Sequence, residues 1–349
     1  MTLQSIIMRQ PDDWHTHLRE QEMLNFALPH TASQFYRALL MPNLKKPVTT
    51  AIAVTEYQSQ VDSLLLKNPP GKLFEPHYAL FLQETTSVEE VYRCTKLPNV
   101  RGFKYYPSRA TTNSDHGVKD LLVLDNILAA IAESNSVLLL HGEVVSAYVD
   151  PFDREKLFIQ QILPVIMRRH PTLKIVMEHI TTRTSVDFIL SQKGRVHATI
   201  TPHHLLLDRR AIFNNGIHPH FYCLPLLQRN EDKNALIMAA TSGLPWFFAG
   251  TDSAPHAISA KETSCGCAGI FNTPVALSIY ADIFERVGKL YALEDFLSKH
   301  GALFYELPMN KTMIELQKKP WNVPSVYEFG VEKVVPLCSG EVASWQLVA

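Results

Sequence analysis

The amino-acid sequence predicts an α/β protein folded as a (β/α)8 TIM barrel with a short C-terminal extension. Two observations favour this fold. Eight short strand-like runs alternate with helix-like segments along the 349 residues, as expected of a parallel sheet that is covered by helices. Side chains that commonly bind metal stand at the carboxyl ends of several runs, and barrel active sites are assembled at that face.

The predicted elements come from short, mostly apolar runs and from helical periodicity, bounded by Gly, Pro and polar residues. The strands are predicted at residues 13–17, 35–41, 78–82, 101–105, 137–140, 173–177, 195–200 and 246–249. Helices are predicted at residues 49–67, 120–134, 154–169 and 231–241. The segment 120–134 has the clearest periodicity, because its leucines and isoleucines share one broad face.

The spacing of the strand ends supports a barrel. Lys104 and His141 are 37 residues apart, and His141 and His179 are 38 apart, so that each interval is about one βα unit. An open, doubly wound sheet is the alternative, but the sequence lacks the Gly-x-Gly-x-x-Gly turn typical of it. Residues 1–349 are therefore predicted to form one domain, in which residues from about 310 to 349 pack on the barrel as an extension.

Composition excludes several classes of protein. Hydrophobic residues make up 46% of the chain and charged residues 19%, which favours a large core over disorder. The net charge of −1 and the lack of a long basic run argue against nucleic-acid binding. No apolar stretch approaches the ~20 residues that span a membrane, and residues 1–10 do not resemble a signal peptide. We therefore expect a cytoplasmic protein without membrane contact.

The five cysteines are expected to be reduced, because an odd number in a long chain does not suggest a disulfide framework. Cys265 and Cys267 are separated only by Gly266 and invite a metal-site interpretation. A structural zinc site needs a second pair of ligands at suitable spacing, which is not evident.

His15 and His17 are two residues apart on the first predicted strand, so both side chains should point to one face. Inside a barrel they could bind one metal ion together. Taken alone, the pair slightly favours the alternative of solvated or core histidines. Metal binding becomes the better interpretation once His141, His179 and Asp252, which follow three other predicted strands, are included.

Two of these positions carry unusual side chains. Asp252 follows an apolar strand, where a carboxylate is expected to be paired or metal-bound. A helix N-cap is the alternative, but we favour a ligand that also acts as a general base. Lys104 ends the fourth strand and could be a solvated surface lysine. If it is buried near cations, its amine pKa falls, and the neutral amine can react with carbon dioxide to form a metal-bridging carbamate.

The motifs around these residues resemble the dihydroorotase family, of the shorter single-function bacterial type, within the amidohydrolase superfamily. The matching segments are DWHTHLR (13–19), MPN (41–43), GFKYYP (102–107), LHGE (140–143), MEH (177–179) and GTDSAPH (250–256). The resemblance runs from about residue 11 to residue 272. His-x-His alone marks the superfamily, whereas its combination with Arg19, Asn43 and His256 is more specific.

The resemblance implies two zinc ions in each subunit. One set of residues would bind the more buried ion, namely His15, His17, N6-carboxylated Lys104 and Asp252. A second set would bind the other ion, namely the same carboxylated Lys104, His141 and His179. Asp252 would also shuttle a proton during the reaction.

The resemblance further implies the substrate contacts. Arg19, Asn43 and His256 would bind the substrate carboxylate, and a guanidinium offers the planar fork that suits such a group. The polar segment 107–117 would be a mobile lid that excludes water when it closes. The remaining contacts would come from the backbones of Leu224 and Ala268 and from the lid residues Thr111 and Thr112.

The activity implied is the reversible cyclisation of N-carbamoyl-L-aspartate to L-dihydroorotate in pyrimidine biosynthesis, carried out by a homodimer. A cyclic amidase acting on substrates without a carboxylate is disfavoured by Arg19, Asn43 and His256. A catalytically dead structural partner should have lost metal ligands. A mononuclear deaminase would leave Lys104 without a role.

Overall fold

The computed structural model of the protein describes residues 5–348. Residues 1–4 and 349 lie outside the described residues. Part of the segment predicted to lack a signal peptide and the last residue of the predicted domain are therefore not described. Eight parallel strands form one sheet in strict chain order, from Asp12–Thr16 (β2) to Phe247–Ala249 (β9). The strands in chain order are β1 (Ser5–Arg9), β2 (Asp12–Thr16), β3 (Arg37–Leu40), β4 (Glu75–Phe81), β5 (Val100–Tyr105), β6 (Val137–Leu140), β7 (Lys174–Met177), β8 (Val196–Ile200), β9 (Phe247–Ala249), β10 (Met313–Gln317), β11 (Trp321–Asn322), β12 (Tyr327–Phe329), β13 (Glu332–Val334), β14 (Val342–Ala343) and β15 (Gln346–Val348).

The first and last strands of this sheet meet, which closes the barrel. The backbone N–H of Asp252 donates to the carbonyl of His15 at 2.8 Å, and the N–H of His17 donates to the carbonyl of Ser253 at 3.0 Å. Thr16 and Ser253 form a parallel bridge. The predicted TIM barrel is therefore confirmed.

Helices connect the strands and cover the outside of the barrel. They are α1 (Gln21–Gln34), α2 (Ala51–Lys67), α3 (Val88–Cys94), α4 (Asp125–Glu133), α5 (Arg154–Leu157), α6 (Leu163–Arg169), α7 (Arg183–Ser191), α8 (Pro202–Leu206), α9 (Arg210–Phe213), α10 (Asn230–Ala240), α11 (Ile258–Lys261), α12 (Ala276–Arg286) and α13 (His300–Phe304). Two predicted helices differ in detail. The helix predicted at 154–169 contains a π-helical turn at Phe158–Ile162, and the one predicted at 120–134 begins with a separate 3₁₀ turn.

The end of the barrel opposite the predicted site is filled with aromatic side chains. Trp14 lies on β2 and stacks on Tyr305 with ring centroids 4.4 Å apart. A Cβ on Gly301 would lie 2.0 Å from Nε1 of Trp14, so only glycine lets α13 approach this closely. The barrel is thus a packed core at this end, and its opposite end is left for the site.

The C-terminal segment packs against the barrel. Strand β10 pairs with β1 and with β15 in a separate antiparallel sheet. The N–H of buried Trp345 donates to Oγ of Ser278 on α12 at 3.1 Å. These contacts support the proposal of one barrel domain with an extension. Within residues 5–348, no helix is long and apolar enough to cross a membrane.

Candidate active site

The predicted ligands come together at the carboxyl ends of the strands. His15 lies in β2 and Lys104 in β5, while His141, His179 and Asp252 follow β6, β7 and β9. A cavity at this end is lined by His15, His17, Arg19, Asn43, Tyr106, Thr111, Thr112, His141, His179, Leu224, Asp252, Ala254, Ala268 and Gly269. Every predicted site residue except Lys104 and His256 is part of this lining. Sequence reasoning did not single out the lining residues Tyr106, Ala254 and Gly269.

His15, His17 and Asp252 direct three ligand-type atoms at one point. Nε2 of His15 and Nε2 of His17 are 3.3 Å apart. Oδ1 of Asp252 is 3.0 Å from Nε2 of His17 and 3.3 Å from Nε2 of His15. Asp252 adopts a φ of 47°, a left-handed conformation that is costly for a non-glycine residue and clusters at functional sites.

His179 and His141 continue the cluster from the ends of β7 and β6, which are adjacent in the sheet. The ring centroid of His179 is 4.9 Å from that of His15 and 4.9 Å from that of His141. Nδ1 of His179 is buried and has no hydrogen-bond partner within the described part of the chain. Nε2 of His141 is 2.6 Å from Oε2 of Glu143, which leaves Nδ1 of His141 as its remaining ligand atom.

Lys104 is completely buried and forms an ion pair with Glu178. Burial lowers the pKa of the Lys104 amine, and the carboxylate of Glu178 opposes this shift. The other oxygen of Glu178, Oε1, lies 2.9 Å from Nδ1 of His15. Burial raises the pKa of Glu178, but the charges of His15 and Lys104 outweigh it and lower the pKa to about 2. Sequence reasoning gave Glu178 no role, although it stands directly before His179.

Asp13 connects the first and last strands of the barrel next to this cluster, because it lies on β2 and bonds to Thr251 after β9. Its carboxylate accepts from the N–H and the hydroxyl of Thr251, at 2.7 and 2.6 Å. It also accepts from the N–H of His15 at 3.3 Å. The sequence indicated Asp13 only as the start of a strand, because its partner is distant along the chain.

Two donor groups of Arg19 have no hydrogen-bond partner in the described part of the chain. Its Nη2 lies 3.0 Å from Nε2 of His256. Nε and Nη1 are buried without a hydrogen-bond partner among residues 5–348, and no ion pair joins Arg19 to Glu20 there. Buried donors without partners cost free energy, and a bound carboxylate would satisfy both of them.

The segment 107–117, predicted to be a lid, lies against the cavity and bonds to its wall. The side chain of Asn43 donates to the carbonyl of Thr112 at 3.0 Å, and Asn113 donates to the carbonyl of Asn43 at 3.1 Å. The hydroxyl of Thr112 donates to the carbonyl of Ala268 at 3.2 Å. The cavity beneath is only about 10 Å³, roughly the space of one water molecule. In this arrangement of its walls, the cavity is therefore too small for a substrate.

The site fits divalent metal ions of the zinc type. Imidazole nitrogens and carboxylate oxygens are its ligands, and they are held by surrounding groups as metal ligands usually are. Two buried groups have ligand atoms close enough together, namely His15, His17 and Asp252, and His15, Glu178 and His179.

A third group, His203, His204 and Cys223, is also buried. Both ring nitrogens of His204 are already engaged, by the hydroxyl of Thr201 at 2.8 Å and the carbonyl of Pro225 at 3.1 Å. This third group is therefore a packed polar cluster rather than a second metal site.

Known proteins resemble this chain over its whole length. No protein-family model matches it. The dihydroorotase of Microcystis aeruginosa is 48% identical over 345 residues, which cover 99% of each chain. The structure of Saccharomyces cerevisiae dihydroorotase in complex with 5-fluoroorotic acid superposes with a TM-score of 0.92 at 30% identity over 99% of each chain. The Campylobacter jejuni dihydroorotase structure gives 0.90 at 33% identity, covering 100% of this chain and 99% of that one.

Proposed function

Because this chain belongs to the dihydroorotase family, hydrolases of the amidohydrolase superfamily, we propose that it catalyses the reversible cyclisation of N-carbamoyl-L-aspartate to L-dihydroorotate in pyrimidine biosynthesis. One observation carries the proposal. Arg19, whose Nε and Nη1 are buried without a hydrogen-bond partner among the described residues, lines the same cavity as the metal-type ligands. Such a cavity suits a substrate that has both a carboxylate and a hydrolysable amide.

The family is metal-dependent, and the buried histidine clusters could bind metal. We assign one zinc ion to His15, His17, Asp252 and carboxylated Lys104, and a second to Lys104, His141 and His179. Zinc ions, when bound, supply Lewis acidity and lower the pKa of water. The burial of Lys104 supports the carbamate, because it favours the neutral amine.

The protein's own groups would orient the substrate and move the proton. Arg19, Asn43 and His256 bind the carboxylate of L-dihydroorotate and so place the ring amide beside Asp252. In ring opening, the Asp252 carboxylate accepts the proton of the attacking water and delivers it to the departing ring nitrogen. In the cyclisation direction the same carboxylate takes the proton from that nitrogen and delivers it to the carboxyl oxygen that leaves as water.

The walls of the cavity would complete the recognition. The backbones of Leu224 and Ala268 read the ring, and both residues line the cavity. Thr111 and Thr112 reach the substrate from the closed lid. At present the side chain of Asn43 and the carbonyl of Ala268 form hydrogen bonds with Thr112 of the lid rather than with a substrate. The lid must therefore open for binding and close again to exclude water.

A cyclic amidase acting on substrates without a carboxylate is the second candidate. With such a substrate, Nε and Nη1 of Arg19 would stay without a hydrogen-bond partner. No bound carboxylate would then offset the free-energy cost of burying them. We also propose, from the family resemblance, that the enzyme is a cytoplasmic homodimer; sedimentation of the purified protein would show a monomer if the dimer is wrong.

The test is ring opening of L-dihydroorotate by the zinc-loaded protein. The reaction is monitored through the loss of the ring's ultraviolet absorbance. Turnover that stops when a chelator removes the metal and returns with zinc supports the proposal. Turnover of dihydrouracil, which lacks the carboxylate, but not of L-dihydroorotate would overturn it in favour of the second candidate.

A further inference from the structure

We propose that Lys261 is a positioning residue that sets the spacing between the two backbone segments forming the ring-binding wall of the cavity. These segments are residues 222–224 and 267–269. The inference rests on the proposed function, because that function assigns Leu224 and Ala268 to the substrate ring. Lys261 itself does not line the cavity.

All three N–H donors of the Lys261 ammonium group form hydrogen bonds to backbone carbonyls. Lys261 is the last residue of α11 and is 3% exposed. Nζ donates to the carbonyls of Tyr222 at 2.9 Å, Cys267 at 2.9 Å and Gly269 at 2.7 Å. A lysine ammonium has three N–H donors, so each donor has one backbone acceptor.

These acceptors belong to the two segments that line the cavity. Tyr222 stands two residues before Leu224, while Cys267 and Gly269 flank Ala268 on either side. The N–H of Gly269 also donates to the carbonyl of Tyr222 at 3.0 Å, which joins the segments directly. The ammonium therefore connects the two segments from behind the wall.

The arrangement is costly, which suggests that it has a purpose beyond packing. Lys261 forms no ion pair within residues 5–348, and burial lowers the pKa of its amine to about 8. A buried charge without a counter-ion is expensive. Hydrogen bonds to three carbonyls offset part of this cost. The same bonds hold the three carbonyl oxygens at a fixed distance from Nζ.

The neighbouring turn, residues 265–267, packs tightly against the end of α11. A Cβ on Gly266 would lie 2.4 Å from the carbonyl oxygen of Lys261, so glycine alone fits. The N–H of Cys267 donates to the carbonyl of Ala260 at 3.0 Å. The Cys265-Gly266-Cys267 motif is thus a tight turn that brings the Cys267 and Gly269 carbonyls to Nζ.

The test is Lys261→Met, which keeps an unbranched side chain only one atom shorter and removes all three donors. We expect the KM for L-dihydroorotate to rise about tenfold, because the ring-binding backbones lose their fixed spacing. The kcat and the zinc content should change by less than about threefold, because no metal ligand contacts Lys261. Arg37→Met is the matched control.

Arg37 is also buried and donates to a backbone carbonyl, that of Pro308 at 2.7 Å, but it lies at the start of β3, at the far end of the barrel. Its loss should lower the unfolding midpoint and leave the KM unchanged. If Lys261→Met does not fold, Gly266→Ala keeps the amine and displaces the same turn, and it should raise the KM in the same way.

The outcomes separate the two proposals. If the wild-type enzyme turns over L-dihydroorotate and both variants at the Lys261 turn have the wild-type KM, the positioning role is wrong and the proposed function stands. If Arg37→Met raises the KM as much as Lys261→Met, the effect is general destabilisation, which also overturns the role. No turnover by the wild-type protein overturns the proposed function and the inference with it.

Discussion

Oε1 of Glu178 lies 2.9 Å from Nδ1 of His15, at the back of the ring whose Nε2 faces His17 and Asp252. The negative charge of a carboxylate this close favours a proton on Nδ1, so that in neutral His15 the lone pair of Nε2 would be free for a cation. The second oxygen of Glu178 accepts from Lys104, so one buried side chain orients both residues.

Glu178→Gln should therefore weaken zinc binding by about 10- to 100-fold, the range found when such supporting partners are removed. Competition with a chromophoric chelator measures the affinity directly. Asp12→Asn is the control, since Asp12 is also a buried carboxylate but pairs with Arg37 at the start of β2. Equal zinc affinities in Glu178→Gln and the wild type would rule out the orienting role.

Lys104→Ala should lose zinc and activity together, because the proposed carbamate would bridge the two ions. Zinc per chain is measured by atomic emission, and ¹³C-bicarbonate labelling detects the carbamate by NMR in the wild type. Lys174→Ala removes a partly exposed lysine that pairs with Glu306 and should retain both zinc ions. Two zinc ions retained by Lys104→Ala would contradict the carbamate bridge.

Arg19→Ala should lower kcat/KM for L-dihydroorotate by about 10- to 100-fold, which corresponds to the loss of hydrogen bonds to a charged group. Zinc content should stay the same, because no metal ligand contacts the guanidinium. Arg210→Ala, which removes an exposed arginine paired with Asp208, is the control. If Arg19→Ala loses zinc, Arg19 has a structural role instead.

His197→Phe should make the protein less sensitive to acid. Burial, with a smaller contribution from His300, lowers the pKa of His197 from 6.5 to about 4. Between these values the unfolded chain binds a proton that the folded protein does not, so stability falls as the pH decreases. The loss amounts to about 2 kcal/mol between pH 7.5 and pH 5.

Urea unfolding at the two pH values measures this difference, and the exposed His116 serves as the control site in His116→Gln. Nδ1 of His197 has no partner in the part of the chain that the structure describes, so phenylalanine leaves no lost hydrogen bond there. An unchanged pH dependence in His197→Phe would show that His197 does not titrate in this way.

The sequence alone determined the features that depend on local pattern. Apolar runs and their spacing predicted the eight strands of the barrel, because burial on both faces of a parallel strand favours an unbroken apolar segment. The spacing of His15 and His17 predicted that both rings share one face, because strand side chains alternate. His141, His179 and Asp252 follow apolar runs and stood out for the same local reason.

Only the tertiary structure decided which groups support the site from behind. Glu178 meets Lys104 across 74 residues, and Asp13 meets Thr251 across 238. Lys261 reaches three carbonyls of two separate segments. Such contacts carry no periodic signal, because they arise where barrel closure brings distant strand ends together. The sequence therefore indicated most of the residues that face the cavity, whereas the fold alone shows what holds them in place.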